Sequence, residues 1–500
     1  MSSLHRFLTN IFWTVFGKGC VQVILFAVSI LITRYLGKEQ LGVYATLLVI
    51  PAFVRLVNQF GLETLINKKL PEINVQDPSG RQARFLVRRL LSVRLVSSLV
   101  FCGALYYFLP IYFNFIHMPE LLSYRAALIL YFGGITLESF LSTLFMTRLQ
   151  FKTVSLVETG SALLNLVFLG IFISMDHGIV GVLYAYILSV SLNVIVYLFL
   201  SVQDFKGESA VPKWQEMKHL AWVSYWISLL SFGLMTQSDV LLMNYFHVDP
   251  VSIGYYHLVT SLGGMAAFVL AGIGPLALSL FSEAYARESQ GGLSRSWCEI
   301  VGFSAFLTVP IYVFVFFNAE TLITFVYGDA FSDAAPLLSF YIVLLGISVV
   351  LGTNFTVSTL FVLHRRDTAM RSTVEGSILN VGLNLICIPI YGVMGAVVAT
   401  GSVMVYMVVR QLLVIQKEMD IRPVFPVIGK CFMFSIAAIA PTLILSQVAG
   451  SHLIWNGVVY LLAFFILLVW RKPFTQDHRH LIVNIYPGLD PWVRCFVQAR

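Results

Sequence analysis

Charge is what this sequence lacks. Of 500 residues only 11% are Asp, Glu, Lys or Arg, against about 25% in an ordinary soluble domain. With 58% hydrophobic residues and a mean hydropathy of +0.84, the chain is an integral membrane protein by composition alone. The six cysteines are scattered through mostly apolar runs with no C-x-x-C, which argues against a disulfide framework or a zinc site and for small buried hydrophobes. There is no H-E-x-x-H, no P-loop and no G-x-G-x-x-G after a strand. No enzymatic activity and no cofactor are therefore expected, and uphill movement of any cargo would have to draw on an ion gradient or on product removal.

What the chain has instead is a series of apolar runs about 20 residues long, the length that crosses a bilayer as a helix. Closed barrels read as short alternating segments and do not fit. Fourteen spans are predicted, at 11–35, 41–66, 90–112, 121–146, 153–174, 178–201, 220–243, 253–281, 300–318, 334–361, 373–390, 393–415, 426–447 and 453–470. A polar, Pro-containing tail follows. The first run lacks an A-x-A cleavage pattern and reads as an uncleaved span.

Orientation follows from the basic residues. Arg6, the Lys68–Arg89 cluster, Arg148 and Lys152, Lys206 to Lys218, Arg287 and Arg295, Arg365 to Arg371, Lys417 and Arg422, and Arg471 with Lys472 fall at the two ends and in the even-numbered loops. The odd-numbered loops hold almost none, Lys38 being the main exception. Under the positive-inside rule both termini are cytoplasmic. A net charge of +7 and pI near 9.0 are thus spent on orientation, and no nucleic-acid partner is expected.

An internal repeat of roughly 215 residues is visible. Thr143-Leu144-Phe145 … Leu164-Asn165 returns as Thr359-Leu360-Phe361 … Leu379-Asn380, and His177-Gly178-Ile179-Val180-Gly181 as Tyr391-Gly392-Val393-Met394-Gly395. Leu41-Gly42-Val43-Tyr44 corresponds to Ile253-Gly254-Tyr255-Tyr256. Six spans separate equivalent points, so the halves are parallel repeats, a recurrent transporter plan with the cargo site between them. The expected organisation is an all-α polytopic protein with a six-helix bundle in 1–205, its repeat in 206–418, two extra helices in 419–471 and a cytoplasmic tail in 472–500.

Charges inside the spans mark the candidate site, because an unpaired cation at a helix centre costs about 2.5–3.5 kcal/mol on insertion scales. Lys18 lies about 10 Å inside the first span at 1.5 Å per residue. Arg55 is expected near mid-depth of the second, with Asn58, Gln59 and Glu63 on neighbouring faces. Two such residues on adjacent helices point to a wet, cationic interior and an anionic cargo. Snorkelling is the plain alternative for Lys18, and the stronger one for Arg410 near the cytoplasmic end of the twelfth span. Three acidic residues are candidates for ion coupling. Asp239 ends a stripe of Ser224, Ser228, Ser231 and Ser238; Glu138 and Glu158 lie in the fourth and fifth spans. Their alternatives are close helix packing for the serine stripe and structural pairing with a cation such as Arg55 for the glutamates. Asn380 and Asn384, one turn apart, read as interhelical hydrogen-bonding residues.

The stretch Thr33-Arg34-Tyr35-Leu36-Gly37-Lys38-Glu39-Gln40-Leu41-Gly42-Val43-Tyr44 resembles the multidrug/oligosaccharidyl-lipid/polysaccharide exporter superfamily. So do Val326-Tyr327-Gly328-Asp329-Ala330, Ala334-Ala335-Pro336 and Ile378-Leu379-Asn380 … Asn384 … Ile388-Pro389. Within it, the chain is most similar to the Wzx-type oligosaccharide-lipid flippases, over roughly residues 10–415. The resemblance implies a V-shaped pair of six-helix bundles working by alternating access in the bacterial inner membrane. It implies as cargo an undecaprenyl-pyrophosphate-linked oligosaccharide carried to the outer leaflet, such as an O-antigen unit. H⁺ or Na⁺ would be the coupling ion, if any, and a polysaccharide polymerase and chain-length regulator are implied as partners. Cationic residues on the first two helices line the cavity in this family, which Lys18 and Arg55 match in kind. A guanidinium also suits a pyrophosphate, which it can grip with paired hydrogen bonds. A lipid II-type flippase and an ion-coupled multidrug antiporter of the same superfamily are the alternatives; the antiporter would call for an acidic cavity.

Overall fold

The computed structural model describes residues 3–211, 225, 238–268, 270, 274–449 and 452–471, and the regular structure among them is all helical. The first helices are α1 (Ser3–Val57), α2 (Leu62–Gln76), α3 (Arg81–Phe115), α4 (Arg125–Thr147), α5 (Phe151–Ser174) and α6 (Gly178–Leu200). Then come α7 (Ser238–Tyr245), α8 (Pro250–Phe268), α9 (Gly274–Phe317), α10 (Ala319–Tyr327), α11 (Ala335–Val350) and α12 (Thr353–Val362). The last are α13 (Arg366–Tyr391), α14 (Val393–Glu418), α15 (Val424–Ala449) and α16 (Leu453–Arg471).

Among the described residues eleven helices are long and apolar enough to cross a membrane. The α1 helix holds the first two expected spans, because Gly37 (φ 71°, ψ 178°) interrupts it in a conformation open to glycine alone. The eighth expected span falls on α8 and the start of α9, and the end of the seventh on α7. Ser224, Ser228 and Ser231 lie outside the described residues. Large apolar side chains stand uncovered along the helices, among them Leu99, Phe199 and Trp470, as hydrocarbon solvent requires.

The second expected span ends early. α1 stops at Val57, residues 58–61 form a tight break with Phe60 (φ 47°) and Gly61 (φ 66°) left-handed, and α2 starts afresh at Leu62. Sequence hydropathy carries the run to 66 because Leu62, Leu65 and Ile66 are apolar. In the structure these three instead pack with Leu86 and Leu90 of α3 and Leu144 of α4.

The backbone repeats as the sequence does. Short 3₁₀ turns at Pro119–Tyr124 and Asp329–Ala334 precede α4 and α11. Left-handed residues at Leu149 and His364 precede α5 and α13, and left-handed Gly178 and Gly392 fall at the starts of α6 and α14. Equivalent spans therefore begin and end alike.

The described chain divides into two compact units. The first comprises residues 1–254 with 380–393, and the second 255–379 with 394–500. Within the second, α15 and α16 lay Ile439, Tyr460 and Phe464 on Val309 and Val313 of α9. Tyr460 donates to the Pro310 carbonyl at 2.9 Å, and Asn456 to Asn318 at 3.1 Å.

Candidate functional site

The first unit brings four of the sequence-selected charges together. Lys18 lies on the first leg of α1 and Arg55 in the last turn of its second leg, 18 residues or about 27 Å past the Gly37 kink. The early helix end thus moves Arg55 from the middle of the expected span into the last turn of the helix, where a cation also complements the negative pole of the helix dipole. Both side chains are exposed, and neither makes a hydrogen bond or ion pair among the described residues.

Each has a carboxylate within electrostatic reach. Glu158 of α5 acts on Lys18 and accepts a hydrogen bond from Ser142 of α4 at 3.1 Å. Glu138 of α4 acts on Arg55 and accepts from the Asn193 amide of α6. Both carboxylates are half-buried. Two cations and two anions balance, yet the cations are the exposed pair and the anions the sheltered, hydrogen-bonded one. The charge offered to an incoming group is positive. Tyrosines complete this interior: the Tyr44 and Tyr186 hydroxyls meet at 2.9 Å, and the Tyr131 ring lies 5.7 Å from that of Tyr186.

Asp239 belongs to a separate cluster. It is 3% exposed on α7 and accepts from the Asn384 amide of α13 at 2.7 Å. Asn384 also donates to the Asn380 carbonyl oxygen at 3.0 Å, and the Ser238 hydroxyl to the same oxygen at 3.1 Å. The two asparagines make interhelical hydrogen bonds, as their spacing suggested. Arg410 sits in the second unit on α14, half-exposed, with its Nε 3.8 Å from Glu375 of α13. It is not among the charges gathered around Lys18 and Arg55 in the first unit.

Sequence reading missed Arg94. It follows the basic run Arg81, Arg84, Arg88 and Arg89 and reads as the last member of a cytoplasmic patch, although it falls inside the third expected span. In the structure it is 1% exposed. Its guanidinium pairs with Glu63, donates to the Asn58 carbonyl at 2.6 Å and to the Gln59 carbonyl at 3.4 Å, and lies 5.9 Å from the Phe140 ring centre. Asn58 and Glu63, expected beside Arg55 as lining, are instead buried around Arg94. Among the described residues no group of three or more His, Cys, Asp or Glu is placed to hold a metal ion.

This arrangement sits in a chain whose residues 31–336 match the family of polysaccharide biosynthesis proteins. The chain belongs to that family. The family match contains Arg55, Glu138, Glu158 and Asp239, while Lys18, Asn380, Asn384 and Arg410 fall outside it. No curated protein matches the chain. Among solved structures, it is similar to the lipid II flippase MurJ in an inward closed conformation, with a TM-score of 0.73 and 16% identity over 90% of this chain and 96% of that one. It is also similar to a multidrug resistance MATE family transporter in an inward-facing conformation, with a TM-score of 0.67 and 15% identity over 81% and 95% of the two chains. A third similar structure is a MOP superfamily transporter from Pyrococcus furiosus, described as having a binding pocket of reverse polarity. Its TM-score is 0.59, with 15% identity over 82% and 95% of the chains. This member of the polysaccharide biosynthesis family therefore has the helical transporter fold of that superfamily and is a multi-pass membrane protein.

Proposed function

We propose that this protein is a flippase that carries undecaprenyl-pyrophosphate-linked oligosaccharide from the cytoplasmic to the outer leaflet of the bacterial inner membrane. The observation that carries the reading is the pair of exposed cations on α1, Lys18 and Arg55, neither of which makes a hydrogen bond or ion pair among the described residues. A cation held within a membrane span is costly, and an anionic headgroup offsets that cost with charge-assisted hydrogen bonds. Arg55 is suited to the pyrophosphate and Lys18 to a second phosphate oxygen, while the polyprenyl tail stays in lipid. The repeats, residues 1–205 and 206–418, rock to expose the headgroup outside, with both termini in the cytoplasm. Arg410 is a lesser candidate contact, since Glu375 faces it.

Coupling in this reading belongs to Glu138 and Glu158, which counter the two cations before cargo arrives, and to Asp239, a buried carboxylate that accepts from the Asn384 amide. A negative-inside potential is worth about 2.3 kcal/mol per charge per 100 mV, and it favours holding the cationic site open to the cytoplasm.

The half-buried carboxylates and tyrosines beside Arg55 also favour a second reading, an antiporter for cationic drugs. One experiment separates the two. Arg55→Ala and Arg55→Lys are expressed in the host, and surface glycan and accumulated lipid-linked units are measured together with drug sensitivity. The flippase reading expects loss of surface glycan with intermediates trapped on the cytoplasmic leaflet in Arg55→Ala, and partial rescue by Lys. Normal glycan from well-expressed Arg55→Ala, with altered drug sensitivity, would overturn it.

A further inference from the structure

We infer that Arg94 is a positioning residue that keeps Arg55 available to an anionic cargo, by holding the helix break beyond it and by occupying Glu63. The inference rests on the reading of Arg55 as the cargo's grip.

The last carbonyls of a helix have no partner within it and carry its negative pole. α1 ends two residues after Arg55, and its ladder closes with Asn58 N–H donating to the Val54 carbonyl at 2.9 Å. The next carbonyls, of Asn58 and Gln59, point to the Arg94 guanidinium. A buried arginine from the neighbouring helix thus holds the break that directly follows the turn bearing Arg55.

The same guanidinium holds Glu63. This carboxylate is the acidic group closest to Arg55 in sequence, and Arg55 lies within its electrostatic reach. Without Arg94, a buried carboxylate would stand uncompensated one short break away from an exposed guanidinium. The two would pair, and the donors that suit a pyrophosphate would be spent on a side chain. Arg94 removes that competitor.

A purely structural role fits the site less well. A buried ion pair is weak evidence for stability, since apolar residues of similar volume often serve as well or better. Among the described residues three buried polar atoms here, Asn58 Oδ1, Glu63 Oε2 and Arg94 Nε, have no hydrogen-bond partner.

The test is binding of farnesyl pyrophosphate to the purified full-length protein, with farnesol as the uncharged control. Arg94→Gln is expected to weaken farnesyl pyrophosphate by about tenfold or more, the scale of one lost charge-assisted contact, and to leave farnesol unchanged. Adding Glu63→Gln is expected to restore binding to within about threefold of the original, because Glu63 then no longer competes for Arg55. Arg94→Lys keeps a charge beside Glu63 but loses the fork; it is expected to lower the thermal midpoint while binding stays within about threefold. Should Arg94→Gln not fold, this last variant carries the test. Normal binding in Arg94→Gln, a double variant no better than Arg94→Gln, or binding that falls in step with stability in Arg94→Lys would each overturn the inference. Arg55→Ala keeps the two claims apart. Unaltered binding there removes the reading of Arg55 itself, whereas its loss alongside normal Arg94→Gln removes only the inference.

Discussion

Gly42 is the position where one added methyl group should be felt most clearly. It lies on the second leg of α1, and a Cβ there would run into the carbonyl group of Pro250 at the start of α8. Its repeat equivalent, Gly254, packs on the other side of the same contact: a Cβ on it would come within 3.0 Å of the Gly42 nitrogen and 3.3 Å of the Lys38 oxygen. The obstacle is backbone in both directions, so no side chain can swing aside. Gly42→Ala gains about 1 kcal/mol in helix propensity. Against that stands an overpacking cost of about 1–3 kcal/mol. Gly160 of α5 supplies the control, because nothing lies within 4 Å of a Cβ there, and Gly160→Ala should keep the propensity gain alone. The difference between the two variants is then the packing term, about 1–3 kcal/mol, with Gly42→Ala the less stable. Unfolding of the purified proteins in detergent measures it, and transport should fall with it if this contact must re-form in each cycle. A Gly42→Ala protein as stable as Gly160→Ala would refute the close backbone approach.

Other outcomes follow from the same structure. Asn384→Ala removes the 2.7 Å hydrogen bond to buried Asp239 and should cost about 1.5–3 kcal/mol in unfolding free energy, whereas Asp239→Asn should keep stability closer to the original and abolish any dependence of transport on the coupling ion. Tyr460→Phe loses the bond to the Pro310 carbonyl and should lower stability by about 1 kcal/mol without affecting farnesyl pyrophosphate binding. Asp77 accepts hydrogen bonds from Ser79 and from the Gln82 amide at 2.8 Å near the start of α3, which hold its carboxyl below the ordinary value of 3.8. Its contribution is therefore present above pH about 4 and lost as the pH falls through the lowered value, so unfolding curves of the original and Asp77→Asn should differ at pH 7 and converge on acidification.

The sequence determined the solvent and the rhythm of the chain. Low charge and repeated apolar runs point to a polytopic helical protein, and glycine and turn signals recur at a spacing near 215 residues, where the backbone places matching turns. Lys18, Arg55, Glu138 and Glu158 were legible because a charge inside an apolar run stands out whatever surrounds it. What tertiary structure decided was which of these charges meet. Hydropathy averages over a window and so carried the second span through Leu62, Leu65 and Ile66, when two left-handed residues at 60 and 61 stop the helix and move Arg55 into its last turn. The same averaging hid Arg94 at the end of a basic run. Whether an arginine faces water or is folded under a neighbouring helix end depends on carbonyls and a carboxylate some 30 residues away, and no local pattern records that pairing.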